Sequence, residues 1–348
     1  VTCTNNQTGS VTSNILTVTN VSASTTCTVS FATDSTVLYN DGTLIINESS
    51  ANRNSNITTH GAVVKEYEPM SNSNSYVFEL SGTEGDIPHP NYPWLNEKSS
   101  VKKVEIGQRI KPVSTAYWNA YLENMESGDF TNLDTSSVTD MEGMFLYAGT
   151  SGYINAFTLA GLSNFNVSSV TNMTALFLGT GQDAKTWNIG DLSNWDVSNV
   201  TDMVEMFSNF DDDGTPGNQQ EWYVGDISKW KPLNATDMSR MFMYVGYNVD
   251  DFSLDLSNWD VSNVTDMTNM FYNVGYNSST FNLDLSNWNM SSVETVDGMF
   301  EEIGESASDW TLTIPSSTGS IDNDEEHLYG SSSSAYAQPP TGKSFTLA

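Results

Sequence analysis

Leu256 to Phe271 reads LSNWDVSNVTDMTNMF, and close copies recur at Leu162 to Phe177, Leu192 to Phe207 and Leu285 to Phe300. Aligned on the closing aromatic, Phe145, Phe177, Phe207, Phe242, Phe271 and Phe300 are separated by 32, 30, 35, 29 and 29 residues. A period in that range marks a solenoid, whose units bury their apolar faces by stacking on neighbours. In FSLDLSNW the apolar residues alternate at Phe252, Leu254 and Leu256, the period of a strand with one buried face. In VTDMTNMF they fall at Val264, Met267, Met270 and Phe271, the three-and-four spacing of an apolar helical stripe. Thr265 stands at the N-cap position of that segment and Asp266 in its first turn. Each repeat is therefore expected to hold one strand, one turn and one short helix. The degenerate copy at Ile227 to Phe242 replaces Val-Ser by Pro232-Leu233 but keeps Trp230, Met238, Met241 and Phe242, as packing requires.

The motif LSNWDVSNVTDMxxMF resembles the signature of the BspA-like leucine-rich-repeat surface proteins. The resemblance covers roughly Val101 to Thr313, including a partly degenerate first unit, VEIGQRIKPVSTAYWNAYLENMESGDFTNLDTSSVTDMEGMF. It implies a leucine-rich-repeat-type solenoid in a secreted or cell-surface protein used in adhesion, host contact or surface structure. It implies no common enzymatic activity. A fold shared by many functions is a prior on function only.

Composition narrows the partners. The net charge of −31, from 43 acidic and 12 basic residues, disfavours nucleic acid and anionic membrane. No run approaches the roughly 18 apolar residues that span a bilayer. The start at Val1 is that expected of a mature, exported chain whose signal peptide has been removed.

The two cysteines agree with export. A disulfide between Cys3 and Cys27 would close a 25-residue loop, stabilising by about 3 kcal/mol on the chain-entropy estimate; the alternative is two unpaired small core residues. Around them VTSNILTVTNV, CTVSFAT, TVLYNDGTLIIN and SYVFELSG alternate as strands do, with Asn40-Asp41-Gly42 as a turn signal. The expected organisation is a disulfide-containing, Ig-like β-sandwich over 1–82 and a stiff Pro-rich connector over 83–100. The solenoid follows over 101–314, and a Ser/Gly/Pro-rich segment over 315–348. In that last segment Ser344, Phe345, Thr346 and Leu347 have the composition of a strand that could dock on a neighbouring subunit or fold back on its own repeats.

Asn-x-Ser/Thr sequons occur at Asn6, Asn20, Asn47, Asn56, Asn166, Asn172, Asn199, Asn234, Asn263, Asn277 and Asn289. A chain this rich in Asn, Ser and Thr forms sequons by chance, and SNVT also serves turns. Yet Asn199, Asn234 and Asn263 share one place in consecutive repeats and so form a column, crowded enough for partial glycosylation at most.

Other columns have structural readings. Phe165, Trp195, Trp230, Trp259 and Trp288 read as core rather than as a carbohydrate platform. Asn164, Asn194, Asn258 and Asn287 resemble the asparagine ladder of leucine-rich repeats. The paired methionines are core filler. Asp191, Asp226, Asp255 and Asp284 place like charges one strand spacing apart, a repulsion relieved either by solvent and salt or by bridging Ca²⁺; Asp211 and Asp213 offer a second candidate for the cation.

Nothing marks an enzyme. His60, His89 and His327 are scattered, and no nucleophile elbow, phosphate loop or dinucleotide fingerprint is present. Two function classes follow. One is a self-assembling subunit of an extracellular filament, tube or coat, with copies of itself as partners in a head-to-tail homopolymer. The other is an adhesin whose repeat face binds a host protein or glycan.

Overall fold

The computed structural model describes residues 95–107, 110–152, 154–211 and 214–315, the strand segments named below within 1–90, and the strand Thr346–Leu347. The repeats stack as a parallel solenoid. Lys103–Ile106, Ser127–Asp129, Ala156–Ala160, Thr186–Asn188 and Glu221–Tyr223 pair in parallel in that order, and Asp251–Asp255, Thr280–Asp284 and Asp309–Ile314 form a second parallel series. The alternation expected for Phe252, Leu254 and Leu256 is observed: all three are buried, while Asp251, Ser253 and Asp255 face outward.

The short helix per repeat is not there. No α-helix occurs among the described residues, and VTDMTNMF instead forms a run of turns hydrogen-bonded to the next coil. The N–H groups of Met267, Asn269, Phe271 and Asn273 donate to the carbonyls of Thr295, Asp297, Met299 and Glu301 of the following coil. Those of Met270, Tyr272 and Val274 donate three residues back, to Met267, Asn269 and Phe271. Every second N–H thus leaves the segment, which an α-helix forbids. Such a run needs recurrent positive φ, found at Asn269 (54°) and Asn273 (58°) and at their counterparts Arg240 (55°) and Tyr244 (62°). The reason is spacing. The strand face advances about 4.8 Å per coil, whereas helices need about 10 Å, so turns let both faces keep step. Thr265 is accordingly no N-cap: its Oγ1 and N–H both donate to the Thr236 carbonyl, at 3.0 and 2.8 Å.

Between the two faces lie continuous aromatic columns. The closing phenylalanines stack from Phe145 to Phe300 at centroid separations of 5.5 to 5.9 Å. Phe165, Trp195, Trp230 and Trp259 stack at 5.8 to 6.2 Å. The indole N–H groups of Trp195, Trp230, Trp259 and Trp288 each donate to the preceding coil, at Leu162, Leu192, Ile227 and Leu256. Both columns and the paired methionines are buried core. A further coil precedes the first recognisable copy: Thr115, Tyr117, Asn119 and Tyr121 pair with Asp140, Glu142, Met144 and Leu146. There Asn119 occupies the phenylalanine position, fully buried, with both amide atoms lacking hydrogen-bond partners.

The parallel sheet is interrupted once among the described solenoid strands: Glu221–Tyr223 and Asp251–Asp255 are not paired. The sequence explains the fault. Phe157, Trp187 and Trp222 are separated from Leu162, Leu192 and Ile227 by four residues including Gly161, Gly190 and Gly225, whereas Phe252 and Phe281 are separated from Leu256 and Leu285 by three. The glycines take φ of 91°, 85° and 77°, the left-handed region that accommodates the extra residue. Where the longer template meets the shorter one, backbone groups on the two strands fall out of step. The inner aromatics record the fault as well: Trp187 and Trp222 stack at 3°, but Trp222 and Phe252 are tilted by 36°. The turn face runs on unbroken, Met238 and Phe242 donating to Asp266 and Met270.

Strands outside the repeats extend both ends of the sheet. Thr43–Glu48 pairs in parallel with Lys103–Ile106, and Ser35–Tyr39 pairs antiparallel with both Thr43–Glu48 and Val64–Tyr67. The runs flanking the turn signal thus pair antiparallel with one another, while Asn40 and Asp41 lie outside the described residues. Among the described residues these strands do not form a separate Ig-like sandwich, because a long-range parallel pairing recruits them to the solenoid. Gly9–Thr12 with Ile15–Val18, and Leu80–Glu84 with Ile87–Pro90, form antiparallel pairs of their own, the latter taking up part of the Pro-rich connector. At the other end Thr346–Leu347 pairs in parallel with Thr313–Ile314 of the same chain. Thr346–Leu347 thus folds back on its own last repeat; Ser344 and Phe345 lie outside the described residues.

Candidate functional site

The acidic column closes turns. Asp191, Asp226, Asp255 and Asp284 each accept, through Oδ1, the N–H of the serine two residues on, at 2.9 to 3.1 Å. Asp196, Asp260, Asp237 and Asp266 do the same for Ser198, Ser262, Ser239 and Thr268. The signal was legible as a recurring Asp-x-Ser/Thr. The bonds from Ser193 and Ser228 hold the Asp191 and Asp226 carboxyls below the usual carboxylate range. Their contribution to stability is therefore present above that range and lost as pH falls into acid. Burial acts oppositely on Asp140, Asp183 and Glu301, raising each, so these groups favour folding at lower pH.

Among the described residues no three His, Cys, Asp or Glu side chains gather to hold a metal. Asp211 caps its own loop, accepting from Thr215 N–H at 2.7 Å, and Asp213 lies outside the described residues. With each Oδ1 of the column committed locally, the melting temperature is expected to stay within about 1 °C on adding EDTA or millimolar Ca²⁺; a saturable rise with Ca²⁺ would restore the bridging reading.

The asparagine ladder lies five residues further on than expected. Asn164, Asn194, Asn258 and Asn287 are exposed, whereas Asn199, Asn234 and Asn263 donate Nδ2–H to the carbonyls of Ser168, Ser198 and Leu233 in the preceding coil, at 2.7 to 2.8 Å. The column inferred from the sequons is thus a column of backbone-satisfying amides. Asn166 and Asn289 instead accept from Ser168 and Ser291, and Asn172 and Asn277 donate to Glu142 and Asn248. The side chains of Asn6, Asn20, Asn47 and Asn56 lie outside the described residues. So do those of Cys3 and Cys27, whose backbones stand opposite one another in an antiparallel pair, at a spacing a disulfide spans. His60 and His327 lie outside the description, and His89 falls in Ile87–Pro90.

Two surfaces were not anticipated. On the turn face Tyr244 and Tyr272 meet edge to face at 5.4 Å, and Tyr247 and Tyr276 stack at 5.0 Å. Burial, Tyr244 and the nearby Glu301 and Glu302 carboxylates push Tyr272 up to about 12. On the sheet face a cavity of about 320 Å³ opens at the fault, lined by Trp222, Tyr223, Asp226, Ser228, Ser253 and Asp255 among others. Tyr223 is 50% exposed there.

Coils of one strand and one turn row around aromatic columns define a parallel repeat solenoid, with no α-helix or long apolar span among the described residues. Residues 113–214 and 218–313, more than half of the chain, match the family described as Mycoplasma protein of unknown function, DUF285, and the chain belongs to that family. No curated protein and no solved structure matches it.

Proposed function

We propose that this chain is a non-enzymatic module of a secreted, cell-surface protein and that it works by lateral recognition, as an adhesin of the BspA-like kind would. The observation that supports this reading is at the ends of the sheet. Thr43–Glu48 covers the first solenoid strand and Thr346–Leu347 covers part of the last, both from the same chain. The outer edge of the first solenoid strand is thereby occupied and that of the last in part, which favours the sides of the stack for a partner. The absence of a common enzymatic role in the resembling family and the charge of −31 agree with a solvated, extracellular scaffold.

A head-to-tail filament is the second reading. Its support is that the terminal strand pairs only with Thr313–Ile314, leaving Asp309–Leu312 without a strand neighbour on that side among the described residues. Electron microscopy of the protein as isolated from its source, before denaturant or chelator, separates the two. Dispersed particles are expected; regular fibres or sheets containing this chain would overturn lateral recognition as the main role and make assembly the function.

A further inference from the structure

The fault in the sheet carries an inference that rests on the recognition reading and sharpens it. We infer that the cleft between Glu221–Tyr223 and Asp251–Asp255 is a binding site for a neutral glycan.

The cleft follows from a one-residue difference between adjacent templates, WYVGDI at Trp222–Ile227 and FSLDL at Phe252–Leu256. No backbone ladder joins the two strands, so peptide groups that the rest of the sheet uses for pairing border the opening. Around it the outward face is polar: Ser253, Asp255 and Asp226 are exposed and Ser228 is half-buried. Tyr223 is the one large exposed aromatic lining this opening. A flat ring beside hydroxyls, carboxylates and unpaired peptide groups is the chemistry that takes a sugar. The apolar face of the sugar ring packs on the aromatic, and its hydroxyls donate to carboxylate oxygens.

The carboxylates are positioned to accept. Asp255 holds Ser257 N–H and Oγ–H on Oδ1, and Asp226 holds those of Ser228 on its own Oδ1. These bonds hold both side chains through Oδ1 and leave Oδ2 outside the turn. For Asp226 that oxygen meets Lys229 Nζ at 3.4 Å, an exposed pair. Sialylated or uronic sugars would face these carboxylates and the field of a −31 chain, so the class is neutral.

A peptide strand is the competing occupant of any broken sheet, and the spacing disfavours it. Inserting a strand requires about twice the usual 4.8 Å between its neighbours. Across the fault the ring centroids of Trp222 and Phe252 are 6.3 Å apart and those of Trp230 and Trp259 are 5.8 Å apart. Lys231 also straps the junction by donating to the Asn258 carbonyl. The coils remain stacked while their strand edges are unpaired, which makes a shallow surface site. Its volume of about 320 Å³ suits a short saccharide.

The test uses the full chain against lactose, mannotriose and cellotriose, with 3′-sialyllactose as the anionic probe, read by saturation-transfer NMR and calorimetry. At least one neutral sugar is expected to bind. Tyr223→Ala should weaken it by about tenfold or more at unchanged melting temperature, and Asp255→Asn by a smaller factor. Equal binding by wild type and both variants would overturn the site while sparing recognition elsewhere on the stack. Binding of 3′-sialyllactose alone would overturn the neutral class. If wild type takes none of the sugars the inference fails, and capture of a protein by the same chain would show that recognition itself survives.

Discussion

Trp230→Ala is expected to destabilise the protein by about 3–5 kcal/mol and to divide one unfolding transition into two. Trp230 is 1% exposed and stacks on Trp195 at 6.1 Å and on Trp259 at 5.8 Å, while its indole N–H donates to the Leu192 carbonyl at 2.9 Å. Truncation removes both stacks and one of the two hydrogen bonds to that carbonyl, which keeps the Trp195 N–H at 3.0 Å. The position matters as much as the side chain. In a solenoid, each coil is held by its neighbours alone, and at this junction the strand ladder is already missing. What joins the two halves is the turn face, the aromatic columns and the Lys231 bond to the Asn258 carbonyl. Cutting a column there should let the C-terminal coils unfold apart from the N-terminal ones, visible as two transitions in calorimetry or urea titration. Trp230→Phe is the control, because Phe165 fills the same column position naturally. It should cost only about 1–2 kcal/mol, largely the lost hydrogen bond, and keep a single transition. One sharp transition with a small shift for Trp230→Ala would mean that the turn face alone couples the halves.

The parts of this fold that could be read from the sequence are those where burial follows the backbone period. Phe252, Leu254 and Leu256 alternate because strand side chains alternate, and no neighbour can change that. Met267, Met270 and Phe271 are spaced for one inward face, but successive three-residue turns give that spacing as readily as a helix does. What decides between them is whether alternate N–H groups find carbonyls one coil away, a fact about stacking that no single repeat contains. Asn258 and Asn263 both recur at the repeat period, and only geometry shows that the Asn263 amide is the one that reaches the preceding coil. The fault was written plainly in the spacing of Trp222 and Phe252 from the residues that follow them. Alignment on the closing phenylalanine hides it by absorbing one-residue differences upstream. Recruitment of Thr43–Glu48 to the solenoid had no local signal, since TLIINE reads the same in any sheet.

The left-handed glycines of the longer template permit a second large effect with an internal control. Gly161→Ala is expected to destabilise by about 2–4 kcal/mol, against about 1 kcal/mol for Gly190→Ala. Both residues have positive φ, 91° and 85°, so the conformational cost of a Cβ is nearly common to them. The surroundings differ. A Cβ at Gly161 would lie 2.4 Å from Thr131 N and 2.6 Å from the Phe130 carbonyl carbon, whereas at Gly190 the nearest atom is the Leu159 carbonyl oxygen at 3.6 Å. Backbone in the preceding coil cannot rotate away as a side chain can. Relief would require separating the strands Ser127–Asp129 and Ala156–Ala160, whose pairing places Asp129 opposite Ala160 beside the clash. Thermal unfolding of the two variants measures the difference directly. Equal losses would mean that the bulge relaxes outward without disturbing the adjacent coil; a loss at Gly161 several times larger would show that the bulge is locked between coils, and that the template change at Trp222 and Phe252 cannot be smoothed out by local backbone adjustment.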